Sequence, residues 1–210
     1  MPSMELSSRF DTALALASEV HRSQYRKHGN TPYISHLLAV AALVLEHHGD
    51  EDQAIAALLH DSLEDQSDRI SSDDLERAFG PRVREMVERC SDTHGQAGHP
   101  KPPWLERKEA AVRGIGSLGP DHPVLLVVAA DKLHNAGCTV EALRREGPIV
   151  WKSFRATPEE TCWYYRSMTA ALGNTGWVHP LLDRLSRVVD ELCQFAETSR
   201  SQGYTELSAF

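Results

Sequence analysis

An apolar run from Ala54 to Leu59 ends abruptly in His60, Asp61, Glu64 and Asp65. As a helix, the stretch sets His60 four residues from Glu64, Asp61 four from Asp65 and Asp61 three from Glu64. All four side chains then share adjoining parts of one surface. Three carboxylates within about one turn repel one another, and near a helix C-terminus the macrodipole adds to the cost. A bound cation removes the conflict. A solvated acidic helix end is the bland alternative, but it does not require the preceding residues to be apolar on every side. The pattern predicts a buried helix that delivers these groups to a metal site.

Nearly every other segment also reads as helix, so the expected class is all-α. Phe10, Leu14, Ala17 and Val20 form a helical stripe between about Ser8 and Gln24. Pro32 precedes a second helix carrying His36, Val40, Leu43 and Val44, ended by Gly49. Asp50 with Gln53 resembles a capping box that opens the apolar run. Ser71 and Asp74 open a short helix closed by Gly80, and Pro81 suits the first turn of the next, down to about Cys90. The Gly-, His- and Pro-rich stretch from Ser91 to Pro103 predicts an exposed loop, followed by a charged helix from Trp104 to Ile115. Pro123 to Asp131 is rich in β-branched residues and would suit a buried strand. A helix is preferred, because Asp121 and Pro123 make a good start and no other strand is visible to pair with it. Thr157, Pro158 and Glu160 mark another helix start. Leu181, Leu185, Val188, Leu192 and Phe195 stripe the last helix, a pattern typical of core and less often of an oligomer face, which leaves room for a homo-oligomer.

The 210 residues suit one domain, taken as 1–199, with a weakly held tail from Ser199 onward, 200–210. Forty-one per cent hydrophobic and 25% charged residues match an ordinary globular chain, and no apolar segment approaches a membrane span. The N-terminal residues lack the basic and apolar regions of a secretory signal, so a cytoplasmic location is expected. A net charge of -8 argues against nucleic acid or anionic lipid as partner, but not against an anionic small molecule held by local Lys and Arg. The scattered cysteines Cys90, Cys138, Cys162 and Cys193 read as reduced thiols.

His36 and Asp131 are each unremarkable alone. In order, His36, then adjacent His60 and Asp61, then Asp131 give two imidazole nitrogens and two carboxylates on three helices. That mixed set suits Mn²⁺, Fe²⁺ or another borderline divalent ion, and leaves coordination positions for water and substrate. An ion held so activates water and withdraws electron density from a phosphoryl oxygen.

This order resembles the HD-domain phosphohydrolase superfamily. Thr31-Pro32-Tyr33-Ile34-Ser35-His36, Ala57-Leu58-Leu59-His60-Asp61-Ser62-Leu63-Glu64-Asp65 and Ala130-Asp131-Lys132-Leu133-His134-Asn135 are similar to the hydrolase domain of RelA/SpoT proteins, and most to the stand-alone small alarmone hydrolases. The resemblance covers roughly Gln24 to Gly173. It implies a single HD-type helical bundle and a manganese ion on His36, His60, Asp61 and Asp131. It also implies that Glu64 and Asp65 assist the chemistry, and that the activity removes the 3′-pyrophosphate from (p)ppGpp, a small-molecule nucleotide. In such a reaction activated water attacks the phosphorus on the ribose 3′-oxygen while Glu64 or Asp65 orients it and takes its proton.

By position, Arg26, Lys27, Arg107 and Lys108 are candidates for substrate phosphates, Lys101 is a further one in the adjacent loop, and Asn135 and Tyr165 match nucleotide-pocket positions. Each has an ordinary alternative: a solvated charge, or an aromatic in the core. The chain departs from the family pattern at Trp104, where a Lys is usual, at His134, in place of Tyr, at Gln66, in place of Thr, and in its longer loop with His94 and His99. These departures leave base identity and 5′-phosphate contacts open. There is no room for the synthetase domain of long RelA/SpoT proteins. The alternatives are another HD nucleotide phosphohydrolase, such as an NADPH 2′-phosphatase or 5′-nucleotidase, and a nucleotide sensor without turnover. The full set of metal-type and acidic residues argues against the sensor.

Overall fold

The structure, a computed structural model, describes residues 5–27, 30–92 and 102–201. The described residues form an all-helical bundle. Its elements are α1 (Ser8–Val20), α2 (Ile34–Glu46), α3 (Glu51–Leu59), α4 (Ser62–Asp65), α5 (Ser72–Phe79), α6 (Pro81–Cys90), α7 (Trp104–Gly116), α8 (Val124–Glu146), a 3₁₀ segment (Gly147–Ser153), α9 (Pro158–Asn174) and α10 (Pro180–Ser201). The strand-like pairing seen among them is an isolated bridge between Tyr25 and Pro32. No helix among the described residues is long and apolar enough to cross a membrane.

Helix starts follow the local chemistry. Asp50, Ser71 and Thr157 each form a reciprocal capping box, with Gln53, Asp74 and Glu160 respectively. Each satisfies backbone N–H groups that the first turn leaves without a helical partner. Pro81 and Pro158 occupy first-turn positions where a missing N–H costs nothing.

Two helices carry the core and the site together. Every residue from Ala54 to Leu59 in α3 is fully buried, because α1, α2, α6 and α8 surround it. The β-branched start of α8 is helix, as preferred, and lies enclosed among α2, α3, α6, α9 and α10, with Val124 to Asp131 all buried. Packing on all sides removes the amphipathic signature that would have separated helix from strand. Each fully buried Leu, Val or Ile there contributes roughly 1.5–3 kcal/mol of burial free energy.

Three expectations are corrected. Gly49 does not supply the left-handed residue that ends α2; His48 does, at φ 62°. Gly49 is there for space, since a Cβ would lie 2.5 Å from Val44 Cγ1 and 2.9 Å from Leu126 Cδ2. The C-terminal tail does not begin at Ser199. α10 runs through to Ser201, and Ser199 is buried and accepts a hydrogen bond from Trp151 Nε1 at 3.0 Å. Residues 202–210 lie outside the described residues. Finally, the cysteines are not all free thiols. Cys162 and Cys193 form a disulfide between α9 and α10, with Cα atoms 5.3 Å apart, while Cys90 and Cys138 are free. The antiparallel packing of α9 on α10 sets that separation, inside the range a disulfide spans.

Candidate functional site

The expected continuous helix through the polar cluster is interrupted. α3 stops at Leu59, and α4 begins at Ser62. Two side chains take up carbonyls at the end of α3: His60 Nδ1 bonds Ala57 O at 2.8 Å, and Ser62 Oγ donates to Leu59 O at 2.6 Å. Those oxygens would otherwise accept backbone N–H groups of a continuing turn. The break aims His60 and Asp61 one way and hands Glu64 and Asp65 to a separate short helix.

His36 from α2, His60 and Asp61 from the break, and Asp131 from α8 converge. His36 Nε2 lies 3.2 Å from Asp131 Oδ1 and 3.6 Å from Asp61 Oδ2. His60 Nε2 lies 3.1 Å from Asp61 Oδ2 and 3.5 Å from Asp131 Oδ1. Ligand atoms of His36, His60 and Asp131 all fall within 4.8 Å of one another. Donors held at about 2.0–2.2 Å around one cation sit roughly 3.0–3.5 Å apart, so the atoms of His36, His60 and Asp131 suit a shared divalent ion, with Asp61 beside the two imidazoles but outside that three-residue group.

Protonation supports the fit. Ala57 O can only accept, so His60 Nδ1 carries a hydrogen and Nε2 is the nitrogen turned toward the carboxylates, where a cation can replace a proton. His36 Nδ1 pairs with His134 Nδ1 at 2.8 Å. Burial, with the neighbouring His36 and Arg26, brings the His134 pKa down to about 4, so His134 is neutral and able to accept. In the His134 tautomer with its hydrogen on Nε2, His36 donates from Nδ1 and keeps a lone pair at Nε2. Both Nε2 atoms are buried without a hydrogen-bond partner, a costly arrangement unless something positive sits between them and the carboxylates. Burial opposes charge on His60, yet Asp61 and Asp131 outweigh it and hold the His60 pKa well above the ordinary imidazole value. The field that would hold a proton on Nε2 holds a divalent cation equally well.

A cavity of about 1250 Å³, ample for a nucleotide, is lined by Asp61 and Asp131, behind which the two imidazoles are buried. Asp61, Glu64, Asp65, Asp131, Arg26, Lys27, Arg107, Lys108, Asn135 and Tyr165 all line it. Arg26 Nη2 donates to Asn135 Oδ1 at 2.7 Å, and Asn135 Nδ2 donates to Asp131 Oδ1 at 2.5 Å, so two of the expected nucleotide contacts are wired to the metal-type carboxylate. Lys27 has its pKa lowered by burial and by the charges of Lys108 and Arg155, a crowding of positive charge that an anion relieves. Lys101, His94 and His99 lie outside the described residues.

Arg107 and Lys108 are not simply solvated. Arg107 Nη1 and Lys108 Nζ both bond the carboxylate of Asp92, whose side chain is 4% exposed. Arg107 also lies 3.8 Å from Glu64 Oε1. Glu64 itself has its pKa pushed up to about 7 by burial and by the charges of Asp92 and Asp61. Lys108 Nζ sits 4.8 Å from the Tyr164 ring centre and Lys132 Nζ 5.6 Å from it, so Tyr164 rather than Tyr165 receives the cations. Trp104 packs edge-on against Trp163 and Tyr164 at the cavity wall.

Sequence reasoning passed over Tyr33, Lys132 and Asp92 as functional residues. Tyr33 OH donates to Asp61 Oδ2 at 2.6 Å, and Lys132 Nζ donates to Asp131 Oδ2 at 2.6 Å. Tyr33 and Lys132 stand inside quoted motif blocks, and that adjacency was the available signal. Asp92 gave none.

Known proteins resemble this chain in sequence and fold. The HD domain family model matches residues 13–161. The guanosine-3′,5′-bis(diphosphate) 3′-pyrophosphohydrolase of Mus musculus is 36% identical over 146 residues, covering 68% of this chain and 74% of the mouse protein. The bifunctional (p)ppGpp synthase/hydrolase SpoT of Escherichia coli is 31% identical over 169 residues, 79% of this chain but 22% of that protein. The GTP pyrophosphokinase rsh of Brucella melitensis is 35% identical over 127 residues, and the match spans 16% of its length. The chain thus spans about a fifth or less of these long bacterial relatives. A solved structure of a metazoan orthologue of SpoT, one that hydrolyses ppGpp and plays a role in starvation responses, matches with a TM-score of 0.67 and 26% identity, over 96% of this chain and 99% of that one. The chain belongs to the HD domain family and, within it, to the RelA/SpoT-type alarmone hydrolases.

Proposed function

We propose that this chain removes the 3′-pyrophosphate from guanosine alarmones such as (p)ppGpp, with Mn²⁺ as the resident ion. His36, His60, Asp61 and Asp131 hold the ion, and Glu64 and Asp65 act on the attacking water. The observation that carries the proposal is the pair of buried Nε2 atoms without hydrogen-bond partners, close to Asp61 and Asp131, two carboxylates that line a cavity also lined by Arg26, Lys27, Arg107 and Lys108. The pyrophosphohydrolase activity named for relatives of similar length supports it.

When bound, the divalent ion supplies Lewis acidity toward water and a phosphoryl oxygen. Glu64, with its pKa near that of a neutral-pH base, takes the proton from the attacking water. Asp65, on the same short helix, orients that water. Arg26 and Lys27 bind phosphate oxygens, and Asn135 fixes Arg26 against Asp131. The Arg107–Lys108 pair shares its charge between Asp92 and the substrate, offsetting the negative charge that develops on the leaving pyrophosphate. Adenosine alarmones belong in the same assay.

The test is purified protein with Mn²⁺ offered ppGpp, pppGpp, ppApp, NADPH and 5′-nucleotides, with products resolved by chromatography. Pyrophosphate released from a 3′ position is the expected result. Orthophosphate from a 2′ or 5′ position makes it another HD phosphohydrolase, and tight binding without product makes it a sensor.

A further inference from the structure

Asp65 stands on the four-residue helix α4 and lines the cavity. The structure provides a holder from another part of the chain. Gln24, just past the end of α1, donates from Nε2 to Asp65 Oδ2 at 2.7 Å. Its backbone is fixed at both sides, by Gln24 N–H to His21 O at 3.0 Å and by Tyr33 N–H to Gln24 O at 2.9 Å.

The amide's orientation follows from its neighbours. Gln24 Oε1 is bonded by His21 Nδ1 at 2.6 Å and by Gln66 Nε2 at 2.8 Å. The carboxylate of Asp65 accepts, which turns the NH₂ end of Gln24 toward it and leaves Oε1 for Gln66 Nε2 and for His21 in the tautomer with its hydrogen on Nδ1. His21 is itself buried and stacks on Tyr33, with ring centres 5.3 Å apart and planes 22° apart. Tyr33 is the residue that donates to Asp61. One assembly of His21, Gln24 and Tyr33 therefore reaches both Asp61, in the break between α3 and α4, and Asp65, at the end of α4.

We infer that Gln24 is a positioning residue for Asp65: it presents a hydrogen-bond donor that holds the carboxylate in one rotamer toward the water, with His21 and Gln66 locking the amide. The inference deepens the proposed function and rests on the role given there to Asp65. Gln24 touches neither the ion's ligands nor, in this arrangement, the reacting phosphorus.

Gln24→Met keeps length and backbone hydrogen bonds but removes the donor. Gln24→Glu keeps the acceptor for His21 and Gln66 but sets a carboxylate oxygen against Asp65. In the Mn²⁺-loaded enzyme both should lower kcat about ten- to a hundredfold, Glu more than Met, with bound metal and KM for ppGpp unchanged. Gln24→Met combined with Asp65→Asn should be no slower than Asp65→Asn alone. Parallel losses of metal and kcat, or losses that multiply in the double variant, would overturn the inference in favour of a merely structural Gln24. A second arm does not depend on turnover. In protein loaded with diamagnetic Mg²⁺, the Gln24 side-chain amide resonance should shift on Asp65→Asn, and an indifferent resonance refutes the hydrogen bond. A wild-type protein inert toward every nucleotide would overturn the proposed function and the kinetic role with it, while the resonance still decides the contact.

Discussion

Tyr33 donates its phenolic hydrogen to Asp61 Oδ2 across 2.6 Å, joining the residue before α2 to the break between α3 and α4. The same carboxylate oxygen stands 3.1 Å from His60 Nε2. Burial and the charge of Asp61 raise the Tyr33 pKa far above its ordinary value, so the hydroxyl remains a donor at every working pH. Tyr33→Phe keeps the ring against His21 and removes only that bond. Metal affinity should fall about ten- to a hundredfold, measured by titration of the metal-free protein, while the fold persists by circular dichroism. Unchanged affinity would show that Asp61 is held by packing alone.

Glu64 sets a pH limb. Its carboxyl pKa is raised from 4.5 to about 7 by burial, Asp92 and Asp61, so below that value it is protonated and unable to accept a proton. A bound cation pulls the value down, which places the inflection of the loaded enzyme at or below about 7. The rate should therefore rise with pH through that inflection and then level, and Glu64→Gln should flatten the rise. For the metal-free fold the sign is opposite. A group whose folded pKa is raised contributes stability that is complete below about 4.5 and is lost as pH rises through about 7, so denaturation midpoints should decline over that window.

Gly49 tests the packing that supports the site. A Cβ there meets Val44 Cγ1 at 2.5 Å, Leu126 Cδ2 and the Val44 carbonyl, in the corner between α2 and α8. Gly49→Ala should destabilise the fold by about 1–3 kcal/mol in urea titrations, since backbone and a buried leucine must both shift. A neutral effect would mean that the corner relaxes freely.

The metal-type residues were legible in the sequence because each marks a discontinuity: an imidazole or carboxylate where an apolar helix would otherwise continue. His36, His60, Asp61 and Asp131 are spread over 96 positions, yet their order sufficed to predict that they meet, and the structure brings them together. The break at His60 and Asp61 was not legible, because it depends on His60 and Ser62 taking carbonyls that a helix would also use. Nor was the clamp of Asp92 on Arg107 and Lys108, or the bond between Cys162 and Cys193. Those contacts arise from helix packing across chain separations that local pattern does not encode. The helical state of Val124 to Val128 was decided by elimination, and burial on every side explains why periodicity was silent there.

The central claim is a division of labour across the break between α3 and α4: His60 and Asp61 hold the ion, while Glu64 and Asp65 work on the water. The direct measurement is bound metal and ppGpp turnover in the same preparations of Asp61→Ala and Glu64→Gln. The account predicts that Asp61→Ala loses both, and that Glu64→Gln retains stoichiometric metal while kcat falls about 10²–10⁴-fold. Full metal in Asp61→Ala, or metal lost together with rate in Glu64→Gln, would contradict it.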